Sequence, residues 1–107
     1  MRTIPARGEV WLIDFGFAGE TRPAPVVSVA FGEEDRSLAT IVPHMTTLCG
    51  SPFEVSVPFL KTGAFLVQGV TTVPVVRALR RLGRLHPEAF AKVFEGLFRW
   101  LGQSRAE

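Results

Sequence analysis

The sequence predicts an α+β chain, mainly β, with five to seven short strands in a small, strongly curved barrel and a C-terminal α-helix. Three observations lead there. Short β-forming runs recur between residues 9 and 73, each bounded by Gly or Pro. One strong amphipathic repeat, Phe90 to Leu101, lies near the end of the chain. A length of 107 residues supports one hydrophobic core, so residues 1–107 are expected to form a single domain.

The elements follow in order. Glu9-Val10-Trp11-Leu12-Ile13-Asp14-Phe15 starts after Gly8 and is rich in β-formers, which makes it the first strand. Residues 16–21 are a short loop. Arg22-Pro23-Ala24-Pro25 leads into Val26-Val27-Ser28-Val29-Ala30-Phe31, the expected second strand. Its prolines lack an N–H and belong at the entrance or on an edge. Residues 32–37 are a charged surface turn. Leu38 to Pro43 is the third strand, stopped by its proline, and His44 to Pro52 is a loop. Phe53-Glu54-Val55-Ser56-Val57 alternates apolar and polar, the mark of a half-exposed strand. Lys61-Thr62-Gly63 is a turn, Ala64 to Gln68 a fifth strand and Val70 to Val73 a sixth.

Pro74 then reads as the first turn of a short helix capped by Thr72. Val75, Leu79 and Leu82 share its face, Arg77, Arg80, Arg81 and Arg84 lie off it, and Gly83 ends it. A longer helix starts at Pro87-Glu88, with an acid in its first turn as the helix dipole favours. His86 helps begin it, Gly102 stops it, and residues 103–107 are a polar tail.

Composition excludes several classes. No apolar run approaches the ~18–20 residues of a membrane span, and the N-terminus lacks the apolar stretch of a signal peptide. Cys49 is the only cysteine, so neither an internal disulfide nor a cysteine-based metal site is expected. The expectation is a cytoplasmic protein with no membrane contact, metal or cofactor. Twelve basic and ten acidic residues give a net +2, and ten of the twelve are arginine. Arginine's planar fork suits phosphate, which admits nucleic acid as a partner.

The order of segments resembles the PemK/MazF-like toxins of bacterial toxin–antitoxin systems. The likeness covers about residues 7–102, the implied core of the domain, and rests on residues 8–14, Arg22-Pro23 before Val26-Val27-Ser28, Ile41-Val42-Pro43-His44-Met45-Thr46-Thr47, Pro52-Phe53-Glu54-Val55, and Leu82 to Glu88 before the last helix. It implies an SH3-like barrel of the MazF/CcdB type and a homodimer. It further implies an mRNA interferase, a metal-independent endoribonuclease cutting single-stranded RNA at short sequences. A cognate antitoxin is the implied protein partner. In such cleavage the ribose 2′-hydroxyl attacks the adjacent phosphorus, giving a 2′,3′-cyclic phosphate and a 5′-hydroxyl.

Three tasks follow: deprotonate the 2′-oxygen, neutralise the phosphoryl charge and protonate the 5′-oxygen. Arg22 occupies the family's catalytic Arg-Pro position, and its guanidinium can grip two phosphoryl oxygens. Thr46 matches the family's threonine after the third strand, with Thr47 as its neighbour and substitute. His44 is a candidate acid–base group from its chemistry, and on parity two residues of extended chain put it on the same face as Thr46. Phe17 is a candidate base-stacking residue.

Many family members carry Asp-Gln and then an arginine after the fifth strand. Here the stretch is Val67-Gln68-Gly69-Val70-Thr71-Thr72, so Gln68 stands for the acid and Thr71 for the arginine. Gln68 and Thr71 are therefore candidate substrate contacts. That departure leaves an alternative open: a catalytically degenerate binding protein, or a toxin that acts by protein contact, such as a topoisomerase poison.

Overall fold

The computed structural model describes residues 4–16, 20–57 and 62–102. Its elements are β1 (Glu9–Asp14), β2 (Thr21–Pro25), β3 (Leu38–Ile41), β4 (His44–Met45), β5 (Glu54–Val55), β6 (Ala64–Leu66), β7 (Thr71–Pro74), β8 (Ala78–Arg84) and α1 (Pro87–Trp100). The expected class holds: mainly β, with antiparallel sheets and a C-terminal helix. Among the described residues the barrel is not closed. The described ladders form three sheets, β2-β1-β8, β3-β7 and β4-β6-β5.

Backbone bonds outside the ladders stitch the sheets together. Val26 bridges to Ile41, and the N–H of Val27 donates to Thr40 O at 2.9 Å. The N–H of Leu66 donates to Pro43 O at 2.9 Å, which ties β6 to the exit of β3. Such bonds let strands of two to seven residues act as one wrapped surface.

The second strand lies earlier than expected. It is the proline-bearing Thr21–Pro25, while Val27 to Phe31 lies outside any strand. Pro23 and Pro25 face Leu12 and Val10 across the β1 ladder. They share a parity, so their missing N–H groups both fall on the side away from β1, where the ladder does not need them.

The short helix is corrected to strand. A 3₁₀ turn at Val75–Arg77 feeds β8, which pairs with β1 from Glu9↔Arg84 to Ile13↔Ala78. Pro74 closes β7 opposite Leu38 and leads into the 3₁₀ turn, not into an α-helix. Thr72 caps nothing; its hydroxyl lies 2.7 Å from that of Thr40 across β3-β7. The Leu and Arg side chains favour helix only weakly, and pairing with β1 outweighs them. Two register shifts against β1 also blur the period-2 pattern.

One of those shifts, between Val10 and Trp11, lets consecutive residues both face apolar surroundings. Val10 joins a core beneath α1 with Phe65, Val67, Val93 and Leu97. Trp11 joins a second core with Ile13, Val26, Ile41 and Val75. Burying each large apolar side chain contributes about 1.5–3 kcal/mol.

α1 begins and ends as its sequence predicts. Pro87 is in its first turn, and His86 Nδ1 accepts from the Glu88 N–H at 3.1 Å. Gly102 follows the helix with a φ of 94° and donates to Arg99 O. Gly96 lets the helix come close to sheet β4-β6-β5; a Cβ there would lie 3.2 Å from Val55.

Candidate active site

Arg22 extends from β2 opposite Ile13. One guanidinium nitrogen donates to the carbonyl of His44 at 3.3 Å, and the other pairs with the Glu20 carboxylate. The side chain keeps 31% of its surface exposed. A guanidinium carries five N–H donors, so two contacts fix its position and leave donor capacity for a phosphate. Glu20 and Arg22 are two residues apart at the start of a strand, a spacing that places both on one side. The resemblance did not single out Glu20, though this spacing was readable.

His44 lies in β4, paired with Phe65 of β6. The residue is 8% exposed, and its ring meets Phe65 edge-on, with centroids 5.5 Å apart. Nε2 is 2.7 Å from the carbonyl of Thr62. A carbonyl only accepts, so Nε2 carries the hydrogen and is not the atom that can take a proton. Gly63 follows with a φ of 90°, and a Cβ on it would fall 2.3 Å from Met45 O. The Thr62-Gly63 backbone therefore lies directly against β4.

Thr46 and Thr47 follow β4 at a bend, and both are exposed. Parity placed His44 and Thr46 on one face. The bend breaks the extended geometry, so His44 turns inward and Thr46 outward. Gln68 is exposed on the 3₁₀ turn Val67–Gly69. That turn packs on the β3 exit, where a Cβ on Gly69 would lie 2.9 Å from Pro43. Thr71 is exposed on β7 opposite Ile41. The stretch from Ile41 to Thr47 thus carries Thr46 and Thr47 and borders Arg22, the turn that holds Gln68, and Thr71. Phe17 lies outside the described residues.

After Thr47 the chain crosses to β5, where Glu54 accepts backbone N–H groups from Cys49, Gly50 and Ser51. These bonds, that from Cys49 foremost, hold its carboxyl below the usual range. The arginines of the 77–84 segment are mostly engaged within the fold. Arg77 lies 3.8 Å from Asp14, Arg81 3.2 Å from Glu9, and Arg84 donates to Arg7 O at 3.4 Å. Among the described residues, no group of three His, Cys, Asp or Glu side chains is placed to hold a metal ion. No described helix is long and apolar enough to cross a membrane.

A family described as PemK-like, MazF-like toxin of type II toxin–antitoxin system matches residues 6–101. Among solved structures, a MazE–MazF complex (Form II) from Deinococcus radiodurans is 26% identical with a TM-score of 0.80, covering 96% of this chain and 100% of that one. MazF (Form I) from the same organism is 24% identical with a TM-score of 0.79, covering 94% and 99%. An endoribonuclease in complex with its cognate antitoxin, from a mycobacterial species, is 22% identical with a TM-score of 0.78, covering 94% and 98%. No curated protein matches the chain in sequence.

Proposed function

Because the chain belongs to the PemK-like, MazF-like toxins of type II toxin–antitoxin systems, we propose that it is a metal-independent endoribonuclease cutting single-stranded RNA at short sequences. The observation that carries this reading is the fastening of Arg22 to the carbonyl of His44, two residues before Thr46. Arg22 grips two oxygens of the scissile phosphate and stabilises the charge that grows as the 2′-oxygen attacks. Thr46 holds a phosphoryl oxygen through its hydroxyl and N–H, and Thr47, Gln68 and Thr71 contact flanking nucleotides.

Glu20 is the acceptor beside Arg22 and takes the 2′-hydroxyl proton. The P–O bond to the 5′-oxygen then breaks, a proton returns to that oxygen from Glu20 or water, and a 2′,3′-cyclic phosphate remains. His44 serves as scaffold: its carbonyl holds Arg22, and its Nε2–H anchors Thr62. In the cytoplasm a cognate antitoxin restrains the toxin, in line with the antitoxin complexes among the similar structures. The exposed Phe98, Trp100 and Leu101 at the end of α1 favour a homodimer.

The test is cleavage of single-stranded RNA by purified protein in EDTA, with the product ends identified. Wild type is expected to leave a cyclic phosphate and a 5′-hydroxyl. Folded Arg22→Ala is expected to lose about 10²–10³ in rate, the scale of removing one charge-stabilising donor. A folded Arg22→Ala protein that cuts at the wild-type rate removes the site assignment. Growth arrest without RNA cleavage would favour a toxin that acts by protein contact.

A further inference from the structure

The segment from Thr46 to Phe53 leaves a sheet at one edge strand, β4, and re-enters at the other, β5, with β6 between them. Thr46, Thr47, Leu48, Cys49 and Gly50 are all exposed, so apolar burial does not hold this loop. The Glu54 carboxylate holds it instead. One oxygen accepts from the Cys49 N–H at 2.9 Å; the other accepts from Gly50 at 2.8 Å and Ser51 at 3.0 Å. Two local bonds tighten the turn: Glu54 N–H to Ser51 O at 3.1 Å, and Phe53 N–H to Ser51 Oγ at 3.0 Å.

Three successive N–H groups converging on one point make a nest, the backbone shape that binds anions. Gly50, with a φ of 82°, supplies the left-handed residue that such a shape uses. Here the chain furnishes its own anion. Glu54 is itself anchored, because its backbone pairs with Leu66 in β6. The clamp therefore ties the loop to the sheet that carries β4, and Thr46 lies only three residues from the first clamped amide.

We infer that Glu54 is a positioning residue for RNA cleavage: by closing the Cys49-Gly50-Ser51 nest it holds Thr46 and Thr47 where they meet the scissile phosphate. This rests on the endoribonuclease reading. Glu54 does not touch the RNA; its effect runs through the loop and Thr46.

The experiment compares wild type, Glu54→Gln, Thr46→Ala and the double variant. Amide exchange is followed by NMR and RNA cleavage by steady-state and single-turnover kinetics. In Glu54→Gln, exchange should accelerate at Cys49, Gly50 and Ser51 while the β6 amides stay protected. Its kcat should fall about 10- to 100-fold with KM held within about twofold, as a misplaced catalytic contact predicts. The double variant should cut no slower than Thr46→Ala alone, because both changes remove one function. Unchanged exchange, unchanged kcat, or losses that multiply in the double variant each overturn the inference. If Glu54→Gln fails to fold, Glu54→Asp, with the same charge on a shorter arm, is judged by the same readouts. A wild-type protein that leaves RNA intact overturns the endoribonuclease reading itself, and the inference falls with it.

Discussion

Replacing Gly63 by alanine perturbs the seat of the candidate site with one methyl group. The φ at Gly63 is 90°, a backbone region that costs a residue with a Cβ about 1–2 kcal/mol. The methyl would also fall 2.3 Å from Met45 O and 2.6 Å from His44 Cε1. Neither neighbour yields easily. Met45 is paired with Ala64, and the His44 ring is wedged on Phe65 and tied to Thr62. Forcing a methyl into such packing adds about 1–3 kcal/mol. The total is therefore about 2–5 kcal/mol. Gly50→Ala isolates the conformational part, since its φ is 82° and nothing lies within 4 Å of a Cβ there. The assay is urea unfolding of both variants beside wild type. With an m-value of about 1.5 kcal/mol per M, Gly63→Ala should unfold about 1–2 M earlier than Gly50→Ala. If the two midpoints agree within error, residues 62–63 do not press on β4, and the account of His44 fails with them.

Two further outcomes test the charges and the histidine. His44→Asn should destabilise the fold by about 1–3 kcal/mol, by loosening the Thr62 contact and the packing on Phe65, while the pH–rate profile keeps its shape; loss of a limb near neutrality would restore His44 as the proton acceptor. Burial pushes the Glu9 carboxyl up, but bonds from the Trp11 indole and the Ala6 N–H, with Arg81 and Arg84 nearby, hold it below the ordinary 4.5. A lowered folded value means stability that is present above pH 4.5 and lost as pH falls through the folded value. Glu9→Gln should accordingly melt lower than wild type at pH 7, with the gap closing on acidification; a constant gap from pH 7 to pH 3 would refute this.

The elements legible in the sequence are those whose reasons are local. β1 follows a glycine and carries a run of β-formers, and α1 shows its repeat, its proline and its glycine stop. β8 is not legible, because what makes it a strand is β1, about seventy positions earlier: Trp11 faces Arg81. Its bulges erase the alternation, and Val75, Leu79 and Leu82 then mimic a helical face although Leu79 is 52% exposed. β2 is hidden by its prolines, tolerable only because both turn their nitrogens from the ladder. Within the site, residue types can be read and their neighbours cannot. The chemistry of His44 can be read, but its burial and the Thr62 carbonyl at its Nε2 cannot. Glu54 looks like an ordinary outward residue of an alternating strand until three amides are found on its oxygens.

The altered segment after β6 bears on where the charge in this site must come from. Gln68, Gly69, Thr71 and Thr72 carry no formal charge. Thr72 is spent on Thr40, and the closeness of Gly69 to Pro43 leaves little room for a larger side chain at the turn. Along the 77–84 segment, Arg77, Arg81 and Arg84 are each engaged with the fold around β1. Arg22 is a cation held in place beside the Ile41–Thr47 stretch, and Glu20 is the carboxylate that meets it. On the proposed endoribonuclease reading, the charge that develops at the phosphate falls to Arg22. Lysine at position 22 would keep the charge and lose the fork that meets His44 and Glu20 and, on the proposed reading, two phosphoryl oxygens. On that reading, with charge stabilisation concentrated in one residue, the contacts from Thr46 must be delivered by geometry, and the Glu54-clamped loop supplies it.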